Sequence, residues 1–306
     1  MHQSVRTLLP GSLRIGGLDR TFVVAPAGPA PRPLIIGLHG AGGRGARLAE
    51  FSGLAVRGPA AGFATVFPDG VGRLWSDGRA APRLRRRAGV DDDAFVMGLI
   101  DHLVRVGVAD ATRVFVAGIS NGAFFADHLA RVAADRISGI GLVSGTATVA
   151  GYCAAPPPAR AVPVMAFHGT ADPMVPYAGG PIGAGLRRSG RGGRGRDGTR
   201  GMCLAAEQLG ADWARIDDCA PAPEVVTLPM PGGELPVVRL TWHDAGGPRV
   251  VLHRIEGGGH TWPGVTTARR AAQGTGPSTL DATGLLLHFF DGLVDLRAVG
   301  GASDPG

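Results

Sequence analysis

The stretch "RVFVAGISNGAFFADHLARV" (113–132) changes its periodicity at a serine. Before Ser120 the apolar residues are nearly unbroken, as expected of a strand buried on both faces. After it, apolar residues recur every three or four positions, as expected of a helix packed along one side. A strand that turns directly into a helix at Gly-Ile-Ser-Asn-Gly lifts the Ser120 hydroxyl out above a sheet, and Gly118 and Gly122 let neighbouring backbone pass close by. Ser120 therefore reads as a nucleophile; the competing reading is an ordinary helix N-cap.

Short apolar runs of the same kind occur at 33–39, 63–68, 139–145, 162–169 and 249–255, and helical patterns lie between them at 91–107, 202–216 and 278–294. Alternating strands and helices predict an α/β fold, a mostly parallel sheet with helices on both faces. "SLRIGGLDRTFVVAP" (12–26) alternates around a Gly-Gly break and predicts an antiparallel hairpin at a sheet edge. No repeat and no second core is visible, so residues 1–306 read as one catalytic domain, with a Gly/Arg-rich flexible insertion at 179–201 and a loose C-terminal tail at 295–306.

Two further strand ends carry chemistry. "LHGAGG" (38–43) ends the first buried strand in a glycine-rich turn. Acyl transfer needs two N–H donors aimed at the developing oxyanion, and the backbone amides of Ala41 and Asn121 are the candidates; the alternative is a turn required only by packing. "FHGTADPMVPY" (167–177) ends another strand with Asp172 in a turn, suited to orient a histidine, or to form an Asx turn before Pro173. "RIEGGGHTWPG" (254–264) then brings His260 off the last buried strand through three glycines. His39 and His168 sit at strand ends as structural histidines. The order Ser120, Asp172, His260 is that of the α/β hydrolases. Trp75 and Trp262, in loops that follow strands, are candidates to line a substrate pocket; Trp213, at helical spacing, belongs to the core.

The formal net charge of +6 is confined to two arginine-rich runs, 83–87 and 187–200, and the chain has no lysine. Outside those runs it is weakly acidic, so a nucleic-acid partner is not expected. No stretch reads as a membrane span, and the N-terminal residues lack the long apolar segment of a signal peptide. Cys153, Cys203 and Cys219 allow at most one intramolecular disulfide, in three pairings. The histidines and cysteines lack metal-ligand spacing, so no metal and no cofactor are expected.

With "LHGAGG", "FPDG", "VDDDAFV", "GISNGA", "HGTADPMVPY", "RIEGGGHTWPG" and "LDATGLLLHFF" in place, the chain resembles the polyhydroxybutyrate-depolymerase-like esterases, relatives of the feruloyl and acetyl xylan esterases of carbohydrate esterase family 1. The likeness spans about residues 33 to 291. It implies an α/β-hydrolase fold, a serine carboxylic-ester hydrolase with Ser120 as nucleophile, Asp172 as acid and His260 as base, and an oxyanion hole at Ala41 and Asn121. It also implies export from the cell, for which this chain shows no signal. The expected substrates are small or polymeric esters, namely short hydroxyacyl polyesters or feruloyl and acetyl esters. A peptidase or acyltransferase on the same fold, or a binding module that keeps the fold without the chemistry, are the competing functions.

Overall fold

A computed structural model describes residues 8–29, 31–79, 89–183, 200–265 and 279–300. The arginine run at 83–87 and positions 184–199 of the Gly/Arg insertion lie outside the described residues. The chain opens with the expected hairpin, β1 (Leu9–Ile15) against β2 (Leu18–Ala25), turning at Gly16 and Gly17, which both hold positive φ. Six strands then run parallel: β3 (Arg32–Leu38), β4 (Ala64–Pro68), β5 (Ala109–Ile119), β6 (Gly139–Val143), β7 (Val164–Gly169) and β12 (Gly247–Ile255). Every residue of β4 and β6 is buried, because helices cover both faces of the sheet. This is the α/β-hydrolase fold.

The sheet order is β1-β2-β4-β3-β5-β6-β7-β12-β11-β10. Two strands of it, β10 (Glu224–Leu228) and β11 (Val237–Asp244), were not expected. Both are antiparallel; β10 is largely exposed, and β11, though mostly buried, interrupts its apolar residues with Arg239, Thr241, His243 and Asp244, so neither forms the unbroken apolar run by which the parallel strands are recognised. Also unforeseen are α1 (Gly45–Ser52) and α2 (Leu54–Ala60), two short helices separated by Gly53 at φ 71°. The longer helices are α3 (Asp92–Arg105), α4 (Asn121–Val132), α6 (Ala206–Ile216) and α7 (Ala282–Gly300), with a short α5 (Val149–Ala154) between α4 and α6. The helix α6 begins four residues later than its apolar pattern, because Met202–Cys203 (β9) pairs with Gly180–Pro181 (β8) and ties together the two ends of the Gly/Arg insertion. Of the loose tail expected at 295–306, residues 295–300 instead continue α7 through Gly300, and 301–306 lie outside the described residues.

Alternate strand residues feed two cores. On one face Leu34, Ile36, Val116, Ile140 and Leu252 meet Phe95 and Leu99 of α3, Phe125 and Leu129 of α4 and Trp213 of α6. On the other, Ile35, Phe115, Phe167 and Val251 meet Leu48 of α1, Leu54 of α2 and Leu286 and Phe290 of α7. Phe115 and Phe290 stack with centroids 4.6 Å apart. No described helix is long and apolar enough to cross a membrane. The three cysteines are free thiols, so none of the three pairings forms.

From β3 the chain moves to β4 on one side and then to β5 on the other. That reversal opens a crevice beyond the carboxyl ends of β3 and β5, the place where open α/β sheets bind ligands.

Candidate active site

Ser120 stands in that crevice, half-buried, between the end of β5 and the start of α4, with φ 57° and ψ −121°. A non-glycine residue rarely holds positive φ. Here its N–H is bound to the Val143 carbonyl at 2.9 Å, which anchors the turn to β6. The flanking glycines are required sterically: a Cβ on Gly118 would come within 2.2 Å of the Gly122 carbonyl oxygen, and one on Gly122 within 2.1 Å of the Leu38 carbonyl oxygen. The end of β3 can therefore lie directly against the first turn of α4. A Cβ on Gly40 would contact Ser120 Cβ at 3.4 Å, so the turn that contains Ala41 abuts the serine. The backbone N–H groups of Ala41 and Asn121 have no acceptor among the described residues. The Ser120 hydroxyl has no hydrogen-bond partner among them either.

Asp172 and His260 meet. Asp172 Oδ2 accepts from His260 Nδ1 at 2.8 Å, while Oδ1 accepts the N–H groups of Met174 at 2.7 Å and Val175 at 2.9 Å. The aspartate thus forms the Asx turn and also holds the histidine. Burial would raise the Asp172 pKa, but the hydrogen bond and charge of His260, the charge of His168 and the Val175 N–H outweigh it and leave the carboxyl below its ordinary range. Its hydrogen bond to Nδ1 leaves His260 Nε2 directed elsewhere, with no described partner.

The loop that carries His260 is fastened to its neighbours on both sides. Toward β7, the Thr170 N–H donates to the Ile255 carbonyl, Ala171 N–H to the Gly258 carbonyl and Gly257 N–H to Thr170 Oγ1. A Cβ on Gly169 would sit 2.2 Å from the Gly258 carbonyl oxygen, so the acid turn and histidine loop touch only because that position is glycine. Toward β6, the Ser144 hydroxyl donates to the Thr261 carbonyl at 2.9 Å and accepts its N–H at 3.2 Å. Ser144 was not singled out from the sequence, although a serine at a strand end in "GLVSG" is a visible cue.

Asn121 does more than offer a backbone amide. Its side-chain oxygen accepts the Trp75 N–H at 2.8 Å, and Nδ2 donates to the Trp75 carbonyl at 3.1 Å and to Asp77 Oδ2 at 2.6 Å. Asp77, fully buried, also binds Arg79 through Nε and Nη2. The start of α4 is thereby tied to the 75–79 loop through polar groups that no sequence motif announces.

The two tryptophans expected to line a substrate pocket do not. Trp75 is fully buried, stacked on Phe125 at 5.3 Å, and its indole N–H donates to the His39 carbonyl. Trp262 is fully buried in the α7 core, with its N–H donated to Thr283 Oγ1 at 2.9 Å. Both follow strands, but their backbones turn the rings inward, where large apolar area is removed from water. His39 and His168 are buried structural histidines. His39 donates Nδ1–H to the Gly40 carbonyl and accepts the Gly70 N–H at Nε2; His168 Nε2 donates to the Val175 carbonyl. Burial lowers the pKa of both.

Comparison with known proteins places this architecture. The family described as Phospholipase/Carboxylesterase matches residues 82–182. Over 282 residues the chain is 31% identical to the protein named "Putative esterase NocK" of Nocardia uniformis subsp. tsuyamanensis, covering 89% of this chain and 75% of that protein. Among solved structures, acetyl xylan esterase from Aspergillus awamori superposes with a TM-score of 0.55 at 16% identity, over 83% of this chain and 94% of that one. Native pOPH does so with 0.54 at 16%, over 94% and 86%. At such identities the solved structures speak for the fold, while the NocK match covers most of both sequences. The protein belongs to the same family as NocK and is a carboxylesterase-type hydrolase of the α/β-hydrolase fold.

Proposed function

We propose that the protein is a serine carboxylic-ester hydrolase that works through an acyl-enzyme on Ser120. The observation that carries this reading is the 2.8 Å hydrogen bond between Asp172 and His260, on a loop clasped through Ser144 to the strand that also anchors Ser120. His260 Nε2 takes the Ser120 proton as Oγ attacks the ester carbonyl. The N–H groups of Ala41 and Asn121 hold the oxyanion, and the anionic Asp172 stabilises the imidazolium. As the tetrahedral intermediate collapses, His260 returns the proton to the departing alkoxide. Water, deprotonated by the same imidazole, then releases the acid and regenerates Ser120. The reading extends to short hydroxyacyl oligomers and feruloyl or acetyl esters as the substrate class, supported by the motifs shared with esterases of that kind.

Ser120→Ala is expected to lower kcat on p-nitrophenyl butyrate by about 10⁴-fold or more, with an unchanged unfolding curve and no labelling by a fluorophosphonate. A hydroxybutyrate oligomer, methyl ferulate and p-nitrophenyl acetate assayed in parallel rank the ester classes. Full hydrolysis by the alanine variant would refute the assignment.

A further inference from the structure

A groove of about 360 Å³ lies away from the strand ends, on the α7 face of the sheet. The volume falls in the range of small-molecule sites. The groove exists because α7 packs over β6 and β7, as where Leu286 lies against Gly141, while the sheet continues through β12, β11 and β10 past the flank of the helix. The strand register sets which side chains share it. Arg239 pairs with His253, Thr241 pairs with Val251 on one side and Glu224 on the other. Met165, Val251, Leu285, Phe289 and Leu293 supply an apolar wall.

Three buried polar atoms of groove residues have no hydrogen-bond partner among the described residues: Arg239 Nε, Thr241 Oγ1 and His253 Nδ1. Thr241 and His253 are more than nine-tenths buried. A folded chain leaves such atoms unpaired at a cost, and three on one groove form a set. The Arg239 guanidinium has no ion pair with a described residue. The Glu224 carboxylate at the rim is held by His243, Nε2 to Oε2 3.2 Å.

We propose that this groove binds a linear aliphatic monocarboxylate, its head on Arg239 and Thr241 and its chain along Met165, Val251, Leu285, Phe289 and Leu293. The head must be an acceptor, since Arg239 Nε–H and the Thr241 hydroxyl both donate, and a carboxylate accepts at both oxygens. A single charge matches the site, because Arg239 is the one arginine among the lining residues and the Glu224 carboxylate, paired with His243, stands nearby, with His288 of α7 on the far wall. His253 is neutral, with burial pushing its pKa down to about 4, so it adds no second cation. The carboxylate selects its Nδ1–H tautomer and satisfies the third atom. The tail meets side chains that otherwise leave apolar surface in water.

Decanoate and decanol share a chain and differ in the head, which makes them the probes. Isothermal titration of the full chain is expected to show one decanoate site with clearly weaker decanol binding. Arg239→Gln should weaken decanoate about tenfold or more while changing decanol less than twofold. Leu285→Trp, which fills the groove, should weaken both. Wild-type rates on p-nitrophenyl butyrate in both variants would show that they fold. Equal affinities for the two probes, or decanoate affinity unchanged in both variants, would overturn the proposal. So would loss of the site on fluorophosphonate labelling of the wild type, which would put decanoate in the crevice instead. The titration reads binding rather than turnover, so its result is separate from the Ser120 assignment.

Discussion

His253 shows how one buried side chain makes stability depend on pH. It is stacked face to face on Phe167 at 4.7 Å, and burial holds its pKa at about 4, against about 6.5 in an unfolded chain. Between those values the unfolded chain binds a proton that the folded chain refuses, so stability falls as pH falls. The contribution is complete above about pH 6.5, is lost progressively toward pH 4, and amounts to roughly 3 kcal/mol. His39 and His168, lowered by burial as well, act in the same direction. Urea unfolding at pH 7 and pH 4.5 is expected to show a markedly smaller difference in midpoint for His253→Phe than for the wild type. An identical difference in the two proteins would mean that His253 does not carry the effect. At this scale the sequence was an uneven guide. Strand-end position singled out Ser120, Asp172 and His260, but it misplaced Trp75 and Trp262, because a residue number in a loop does not say which way its ring turns.

At the scale of elements, the site depends on turns that touch without side chains between them. The acid turn after β7 and the histidine loop after β12 meet at Gly169 and Gly258. Gly169→Ala would press its methyl group into the Gly258 carbonyl, and a backbone atom cannot swing aside. The loops must part, lengthening the Asp172–His260 hydrogen bond. With Asp172 and His260 in the roles proposed above, a displacement of about 1 Å costs about 10²-fold in rate, so kcat should fall by that order while KM changes little. Steady-state kinetics on p-nitrophenyl butyrate check it; a loss confined to KM would place the damage elsewhere. "GGGH" announced such a loop in the sequence, since three glycines permit a sharp departure from a buried strand. The partner glycine in "FHGTAD" looked like an ordinary strand end. Its role exists only in the contact.

For the whole molecule, the two cores are unequal in what they support. The face under α3, α4 and α6 carries the elbow helix, whereas α7 covers only part of the other face and leaves the groove beside it. Phe290, fully buried in α7 and stacked on Phe115, is the link between that helix and the centre of the sheet. Phe290→Ala is expected to destabilise the fold by about 3–5 kcal/mol, while the rate per folded molecule stays near that of the wild type. Denaturant unfolding together with active-site titration would test both halves. What the sequence determined by itself was the parallel sheet, the hairpin at its edge, the long helices and the three strand-end residues, because unbroken apolar runs, helical spacing and glycine turns are local patterns. Only the tertiary structure decided the antiparallel strands β10 and β11, the buried Asn121–Asp77–Arg79 network, the Ser144 clasp and the groove beside Arg239. Each of these is made of groups distant in the chain, whose polar atoms find or lack partners only once the strands are in register.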